Sequence, residues 1–302
     1  MSVAGLIRAV SALVVLLVLW GAFALFRGSI GDAARNLALP PLTAADVDRV
    51  TIARVRDTVV LARSGAGWRV NGHAADGTQL DQLFRALADT GASSELLARS
   101  AASHGRLGVD TAGRLVVFGK GDDTVLALVV GEQGRAFQTA YVRLAGDDEV
   151  FLVRGALPGI LSRAVDAWRD RSIARIPPDS VGTVVITRNG REVTLTRGEG
   201  VWTVGARPAD TAVVGRLLSA LGDLRAIGFA SPAEIDSLDF MRPWRRLAVL
   251  DRAGDTLLVL DLDSTSAGYW ARRAAPGDAF RVDFWRLDQL TPAGEALRAG
   301  SP

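Results

Sequence analysis

Cysteine is absent from this 302-residue chain, and histidine and lysine are rare. The absence of cysteine excludes a disulfide framework, a thiol nucleophile, cysteine-rich zinc sites and a lipid attached through an N-terminal cysteine. The two histidines, His73 and His104, stand beside turn residues, which predicts exposed loop positions for both. Only Lys120 among the 35 basic residues is a lysine, a bias more typical of a GC-rich genome than of a need for bidentate arginine contacts.

The chain also lacks an excess of charge of either sign. Arg8 and Arg27 account for the formal net charge of +2, because the segment 1–28 holds no acid and the remainder holds 33 basic and 33 acidic groups. A nucleic-acid-binding protein would show a segregated basic excess. We therefore expect no nucleic-acid partner.

Motifs that carry catalysis are missing as well. The sequence contains no G-x-S-x-G, no phosphate-binding loop and no dinucleotide fingerprint. The acid clusters Asp122–Asp123 and Asp147–Glu149 lie in predicted turns, where carboxylates are usually solvated. We predict no catalytic, cofactor-binding or metal-binding residues and no enzymatic activity, with a carboxylate-based hydrolase as the least favoured alternative.

A long apolar run is present at the N-terminus. Ala9–Phe26 is an 18-residue apolar stretch that spans roughly 27 Å as a helix, close to the thickness of a bilayer core. It predicts a retained transmembrane anchor in contact with membrane lipid, although Ala22–Ala24 would also suit a signal-peptide cleavage site. The expected location is the inner membrane, with an extracytoplasmic, periplasmic C-terminal part. The predicted anchor residues are Arg8, Trp20, Phe23, Phe26 and Arg27.

The remainder of the chain contains an internal repeat. A constant offset that places Val50 on Val184 aligns Val50–Thr90 with Val184–Leu224 without a gap, and 13 of the 41 positions are identical. With small gaps the alignment continues: Leu115–Phe118 on Leu247–Leu250, Thr124–Leu128 on Thr256–Leu260, and Tyr141 on Tyr269. We interpret this as a duplicated unit.

Local patterns predict the architecture of each copy. Asn189-Gly190 between two β-rich runs predicts a tight hairpin, Trp202 a third strand, and Asp210 the N-cap of an amphipathic helix. The wholly apolar run Val125–Val130 predicts a strand buried on both faces. The predicted fold class is α+β: one transmembrane helix, then two tandem repeats of hairpin, strand, helix and antiparallel strands. The predicted domains are an anchor at 1–28, a linker at 29–45, a first repeat at 46–175 and a second repeat at 176–302.

Three tryptophans distinguish the second copy from the first. Trp244, Trp270 and Trp285 have no tryptophan at matching places in the first copy. They either fill a larger core or form a partner-binding patch, because aromatic residues are enriched at interface hot spots. We retain all three as candidate partner-binding residues.

These patterns resemble a bacterial family of unknown function. The resemblance is strongest in Ala167–Ile173 (AWRDRSI), and continues through Val184–Ile186, Val193–Leu195, Trp202 and the helix from Asp210. Members of that family carry one N-terminal membrane helix and a duplicated α+β extracytoplasmic region, and some are associated with ABC transporters of the gliding-motility type. The resemblance implies an accessory role at a membrane complex and assigns no catalytic residues.

The sequence thus favours a non-enzymatic, single-pass accessory or scaffold subunit. We expect it to dock on the extracytoplasmic face of a larger integral membrane protein complex, either an ABC transporter or a respiratory or photosynthetic complex. The alternative is an extracytoplasmic ligand-binding module that captures a glycan or a small solute between the two repeats.

Overall fold

The computed structural model describes residues 36–299 except 56, 66, 135, 275 and 276. Of these residues, 42% lie in strands and 22% in helices. The described chain forms two compact units. The first unit consists of the residues up to 63 together with 78–163, and the second of residues 64–77 together with those from 164 onward.

Nine strands form the first sheet. Its order is β4-β3-β2-β1-β6-β7-β8-β9-β5. The strands are β1 (Arg49–Ala53), β2 (Thr58–Ser64), β3 (Gly67–Val70), β4 (His73–Ala74), β5 (Ser94–Ala98), β6 (Arg114–Lys120), β7 (Asp123–Gln133), β8 (Thr139–Leu144) and β9 (Val150–Arg154).

The second large sheet has the same order, β14-β13-β12-β11-β17-β18-β19-β20-β16, and a two-stranded sheet pairs β10 with β15. The strands are β10 (Ser172–Ala174), β11 (Val181–Arg188), β12 (Arg191–Arg197), β13 (Trp202–Val204), β14 (Arg207–Pro208), β15 (Leu224–Arg225), β16 (Gly228–Phe229), β17 (Arg245–Asp251), β18 (Thr256–Thr265), β19 (Gly268–Arg273) and β20 (Ala279–Val282).

Helices are few and mostly short in the described chain. They are α1 (Gly77–Ala92), α2 (His104–Leu107), α3 (Leu157–Leu161), α4 (Thr211–Gly222), α5 (Pro232–Ile235) and α6 (Phe284–Leu290). Single 3₁₀ turns occur at Ala101–Ser103, Val165–Ala167 and Pro178–Ser180.

The two long helices each present one apolar face to a core. In α1 the buried side chains include Leu80, Leu83 and Leu87, and in α4 they include Val214 and Leu217. Their spacing of three and four residues places them on one side of each helix. In the strands burial alternates instead, so that each large sheet offers every second side chain to its core.

Strand register repeats between the two copies with the same offset, Val50 onto Val184, that aligns the sequences. Because a slip of one residue would turn every side chain to the other face, matching registers place matching residues in the cores. The matching pairs are Val50–Leu61 with Val184–Leu195, and Ile52–Val59 with Ile186–Val193.

Beyond the gap-free segment, part of the sequence alignment is off by one residue. Ile52 pairs with Val116 and Ile186 pairs with Leu247, so that Val116, and not Leu115, corresponds to Leu247. Further along, the registers support the alignment of Thr124–Leu128 on Thr256–Leu260. The register of β8 against β7 and of β19 against β18 instead aligns Trp270 with Tyr141, and Tyr269 with Ala140.

The predicted fold class is wrong. The described chain is mostly antiparallel sheet, which conflicts with an α+β class of one transmembrane helix followed by helix-bearing repeats. The apolar stripes did predict α1 and α4, but the short strands that complete each sheet, such as β14 and β16, have only two residues each. Two residues give no detectable periodicity, and the strand content was therefore underestimated.

The predicted membrane anchor falls on residues 1–28, outside the described residues, as do Arg8, Trp20, Phe23, Phe26 and Arg27. Among the residues that the structure describes, no helix combines the length and the apolar character needed to span a bilayer.

Two other sequence expectations have clear outcomes. The hairpin turn at Asn189-Gly190 is confirmed, since both residues have positive φ angles, 52° and 72°. The expectation that Val125–Val130 is buried on both faces is wrong in part, because Val125 is 38% exposed while Leu126 and Leu128 are buried. Val125 is the extra residue of a β-bulge, because Leu126 pairs with Phe118 and Thr124 with Gly119, and apolar composition alone does not reveal a bulge.

Candidate functional site

Three aromatic side chains, Trp244, Tyr269 and Phe284, are in ring contact on the second unit, and the next residue of α6 is the exposed Trp285. We call these four residues the aromatic surface. The Trp244 and Tyr269 rings stack with centroids 6.2 Å apart, and the Tyr269 and Phe284 rings meet at 5.1 Å. Phe284 is 46% exposed and Trp285 is 53% exposed. Large exposed aromatic side chains that lie together on a rigid element are typical of protein-binding surfaces.

Helix α6, which carries Phe284 and Trp285, is anchored by its buried side chains. Leu287 and Leu290 of α6 are buried in the core of the second unit, one turn after the exposed Phe284 and Trp285. Burial on one side of a short helix fixes its rotation. The packing of α6 therefore directs Trp285 to the surface, while Phe284, three residues before Leu287, lies next to the buried side and contacts the Tyr269 ring.

A buried arginine fastens α6 to the sheet. Arg245 on β17 donates from Nη1 to Asp288 Oδ1 at 2.7 Å and to Thr291 Oγ1 at 2.9 Å. Its guanidinium lies 4.0 Å from the Trp244 ring centroid. Burial lowers the pKa of Arg245 from its ordinary value, and the hydrogen bond to Asp288 opposes that shift. The hydrogen bonds of Arg245, which we call the arginine clamp, hold α6 against the sheet, and its guanidinium packs on the Trp244 ring.

A similar arginine contact exists in the first unit, without a carboxylate partner in the described part of the chain. Arg114 on β6 donates from Nη1 to Ser162 Oγ at 2.7 Å, just beyond α3, and burial lowers its pKa. Arg54 also donates to Ser162 O at 3.1 Å, as Arg188 donates to Thr291 O at 3.2 Å. These arginines therefore have a structural role in each copy.

The three predicted partner-binding tryptophans are not together. Trp285 is exposed and Trp244 is half-buried, and both belong to the aromatic surface. Trp270 is fully buried in a small cluster with Phe240, and its Nε1 donates to Thr265 Oγ1 at 3.5 Å. The structure therefore places Trp270 in the core. Sequence reasoning missed Tyr269 and Phe284, because their neighbours in the fold are distant in sequence.

A second cluster of ionisable groups lies elsewhere in the second unit. The nitrogen His73 Nδ1 is 2.6 Å from Asp278 Oδ1, and Arg169 Nη2 is 2.8 Å from the same oxygen. Arg169 also pairs with Asp166 at 3.0 Å and lies 3.5 Å from the Phe229 ring centroid. The expectation of an exposed loop position for His73 is thus wrong in part: its side chain is 42% exposed, but it lies on β4 and contacts Asp278. His104 begins α2, with Nε2 3.0 Å from Asp148 O.

The geometry of this cluster suits a structural clamp. Asp278 accepts from both His73 and Arg169, and the backbone of Asp170 donates to Ala74 O at 2.8 Å. In the described part of the chain, no serine or threonine hydroxyl bonds to His73 in the way that a nucleophile bonds to its base. The cluster connects β4 to the Ala167–Ile173 segment.

Three cavities in the described chain are relevant to binding. A groove of about 410 Å³ lies between α4 and α6, and one of about 400 Å³ lies between α1 and α3. A third cavity, about 940 Å³, opens beside the Asn189 hairpin turn. No group of three or more His, Cys, Asp or Glu side chains among the described residues could hold a metal ion.

Comparison with known proteins identifies one family. Residues 68–243 match the family described as "Domain of unknown function (DUF4340)", which covers more than half of the chain. No curated protein and no solved structure matches the chain. The expected membership of a family of unknown function is confirmed, while the membrane anchor and transporter association are not shown. The chain belongs to the DUF4340 family of domains of unknown function.

Proposed function

We propose that the protein is a non-enzymatic accessory subunit that binds a larger membrane protein complex, on its extracytoplasmic face, through the aromatic surface of the second unit. The observation that carries the proposal is the exposure of Phe284 and Trp285 on a helix that Leu287 and Leu290 anchor in the core. Removing such side chains from water on binding is favourable, and rigid aromatic anchors lose little conformational entropy.

The aromatic surface is not required by the fold. In the first unit the buried residues Pro158 and Leu161 of α3 have the same three-residue spacing as Leu287 and Leu290 of α6. When Ser162 is aligned with Thr291, as the arginine contacts require, Ala156 stands where the second copy has Trp285. A duplicated scaffold can change one copy without loss of fold, and the acquired tryptophan supports a binding role.

The identity of the complex is part of the same proposal. The family resemblance favours an ABC transporter over a respiratory or photosynthetic complex, because some relatives are associated with transporters of the gliding-motility type. Recognition of such a partner by the second unit would rely on shape and aromatic anchors, since the chain from position 29 to its end has no net charge to steer the encounter.

Quantitative affinity purification tests the proposal. The tagged full-length chain is compared with Phe284→Ala, Trp285→Ala and, as a matched control, Phe137→Ala, which removes an 84%-exposed aromatic ring of the first unit. We expect a stoichiometric membrane partner with the wild type and the control, and loss of that partner with the two α6 variants. Equal recovery with all four chains would contradict the proposal.

A second candidate function rests on the cavity beside the Asn189 hairpin turn. The 940 Å³ cavity is lined by both signs of charge, including Arg191, Arg298, Glu192 and Glu295. Its volume is within the range of small-molecule sites, and its polar lining suits a charged solute better than a stacked sugar ring. Equilibrium binding of a panel of small zwitterionic solutes, with Arg191→Ala as the comparison, tests it. Saturable binding that the substitution abolishes would favour the ligand-binding function.

A further inference from the structure

The α4–α6 groove of the second unit combines an exposed ring with small residues. One wall is formed by the outer side of α4, with Ala212, Gly215 and Ser219, and the other by Trp285 and its neighbours on α6. Ala212, Gly215 and Ser219 are exposed and lack bulk, so that a partner backbone can approach α4 closely. The groove therefore places the apolar Trp285 ring opposite the small side chains of α4.

The charge of this groove is positive and uncompensated. Its lining contains Arg216 and Arg286 and no carboxylate. Arg286 donates to Gln289 Oε1 at 3.3 Å and its guanidinium lies 4.4 Å from the Trp285 ring centroid. Neither arginine has an ion pair with any residue in the described part of the chain. Two guanidinium groups thus flank the exposed ring.

Among the residues that the structure describes, the lining of the equivalent groove in the first unit contains a carboxylate and no tryptophan. The repeat offset, Val50 onto Val184, matches Arg216 with Gln82 and Ser219 with Arg85, and both first-copy residues line the α1–α3 groove. There Arg163 donates to Gln82 Oε1 at 2.9 Å, and Asp89 supplies a carboxylate to the lining. The two grooves have nearly the same volume, but only the second combines an exposed tryptophan with arginines that lack carboxylate partners.

We infer that the α4–α6 groove binds an acidic peptide segment of the partner protein, in which a large apolar side chain packs on Trp285 and flanking carboxylates pair with Arg216 and Arg286. This inference rests on the proposed function and specifies its partner. Arginine forms bidentate hydrogen bonds with carboxylates, and partial desolvation beside an aromatic ring strengthens such pairs. The uncompensated charge is what selects an acidic segment over a neutral or basic one.

Site-specific photo-crosslinking in the full-length chain tests the inference. A photoreactive phenylalanine analogue replaces Ser219 in the second-unit groove or, as the matched control, Arg85 at the equivalent place in the first-unit groove. Cross-linked peptides are then sequenced by mass spectrometry from cells that contain the natural partner. We expect position 219 to cross-link to a segment with Asp or Glu next to a large apolar residue, and position 85 to give no such product.

Charge reversal provides the second arm. Arg216→Glu with Arg286→Glu should lower the yield from position 219 on the order of tenfold or more, since like charges across an interface are strongly unfavourable. Replacing the acidic residues of the sequenced segment by lysine should restore the cross-linking yield of the double variant. An unchanged thermal melting temperature shows that the double variant is folded.

Several outcomes would overturn the inference. These are a cross-link to a neutral or basic segment, a cross-link to a second copy of this chain, no cross-link at position 219, or a yield that the double reversal leaves unchanged. If Phe284→Ala still abolishes co-purification while position 219 fails, the groove inference falls and the proposed function stands. If Phe284→Ala leaves co-purification unchanged and position 219 gives no cross-link, both the groove inference and the proposed function are contradicted.

Discussion

Asp210 illustrates how a single side chain sets local structure in this protein. Its carboxylate accepts from the backbone N–H groups of Ala212 and Val213, both at 2.9 Å, which caps the first turn of α4. The sequence predicted this cap, because an N-cap depends only on residues within one turn. The partner of His73, by contrast, is 205 residues away at Asp278, and no local pattern could reveal it.

Removal of the Asp210 cap should destabilise the second unit. Asp210→Ala leaves two N–H groups of α4 without their acceptor, and we expect a loss of about 1 kcal/mol in the free energy of unfolding, measured by urea denaturation. Ser219→Ala, on the exposed side of the same helix, is the control and should change stability by less than about 0.5 kcal/mol. An equal effect of both substitutions would show that the cap contributes nothing.

The ionisation of Glu234 predicts how the stability of the folded state depends on pH. Hydrogen bonds from the backbone N–H and then the hydroxyl of Ser231 lower the pKa of Glu234 below its ordinary value of 4.5. A carboxylate whose pKa is lowered on folding stabilises the native state above its unfolded pKa, and this contribution is lost as the pH falls through the folded pKa. Ser231→Ala should therefore raise the pKa part of the way back, as measured by carboxyl NMR titration. A pKa that does not move would contradict the hydrogen-bond assignment.

At the scale of elements, the arginine clamp and the similar contact in the first unit join each short terminal helix to its sheet. The sequence repeat revealed Arg54 and Arg188 as an identical pair, but it missed the correspondence of Arg114 and Arg245. The two copies differ in the length of the connections before β6 and β17, where no periodic pattern fixes the alignment. A one-residue error in the sequence alignment at these connections hid the correspondence of Arg114 and Arg245.

The clamp of α6 can be tested by a double-mutant cycle. Asp288→Ala and Arg245→Met each remove one side of the 2.7 Å hydrogen-bonded pair, and each should destabilise the second unit by about 1–3 kcal/mol. Asp288 is 42% exposed, which places Asp288→Ala at the lower end of that range. We expect the double variant to lose less than the sum of the two. Strict additivity in urea denaturation would mean that the two side chains do not stabilise the fold together.

At the scale of the whole molecule, the sequence predicted the duplication and misjudged the class of structure. Val50 and Val184 occupy equivalent register positions, as the constant offset between the two copies requires. The helices were overweighted because a 16-residue amphipathic stripe in α1 is conspicuous, while two-residue strands such as β4 are invisible to periodicity. Neither the aromatic surface nor the groove could be predicted in full, because Trp244, Tyr269 and Phe284 meet only in the folded chain.

The duplication predicts matched energetic effects in the two cores. Ile52 and Ile186 are both at most 1% exposed and occupy the same register position. Ile52→Val and Ile186→Val should each cost about 0.5–1.5 kcal/mol, and the two losses should agree within a few tenths. Val125→Ala, at a 38%-exposed position, is the control with a smaller loss. The losses are measured by calorimetric unfolding. A loss of stability with only one of the two isoleucine substitutions would contradict the equivalence of the two cores.

Amide hydrogen exchange of the full-length chain, free and bound to its co-purified partner, tests most directly whether the second unit carries the docking surface. We predict slower exchange on binding in α4 and α6, where the groove and the aromatic surface lie, and unchanged exchange in the equivalent helices α1 and α3 of the first unit. Protection confined to α1 and α3, or no protection in α6, would contradict the assignment of partner binding to the second unit.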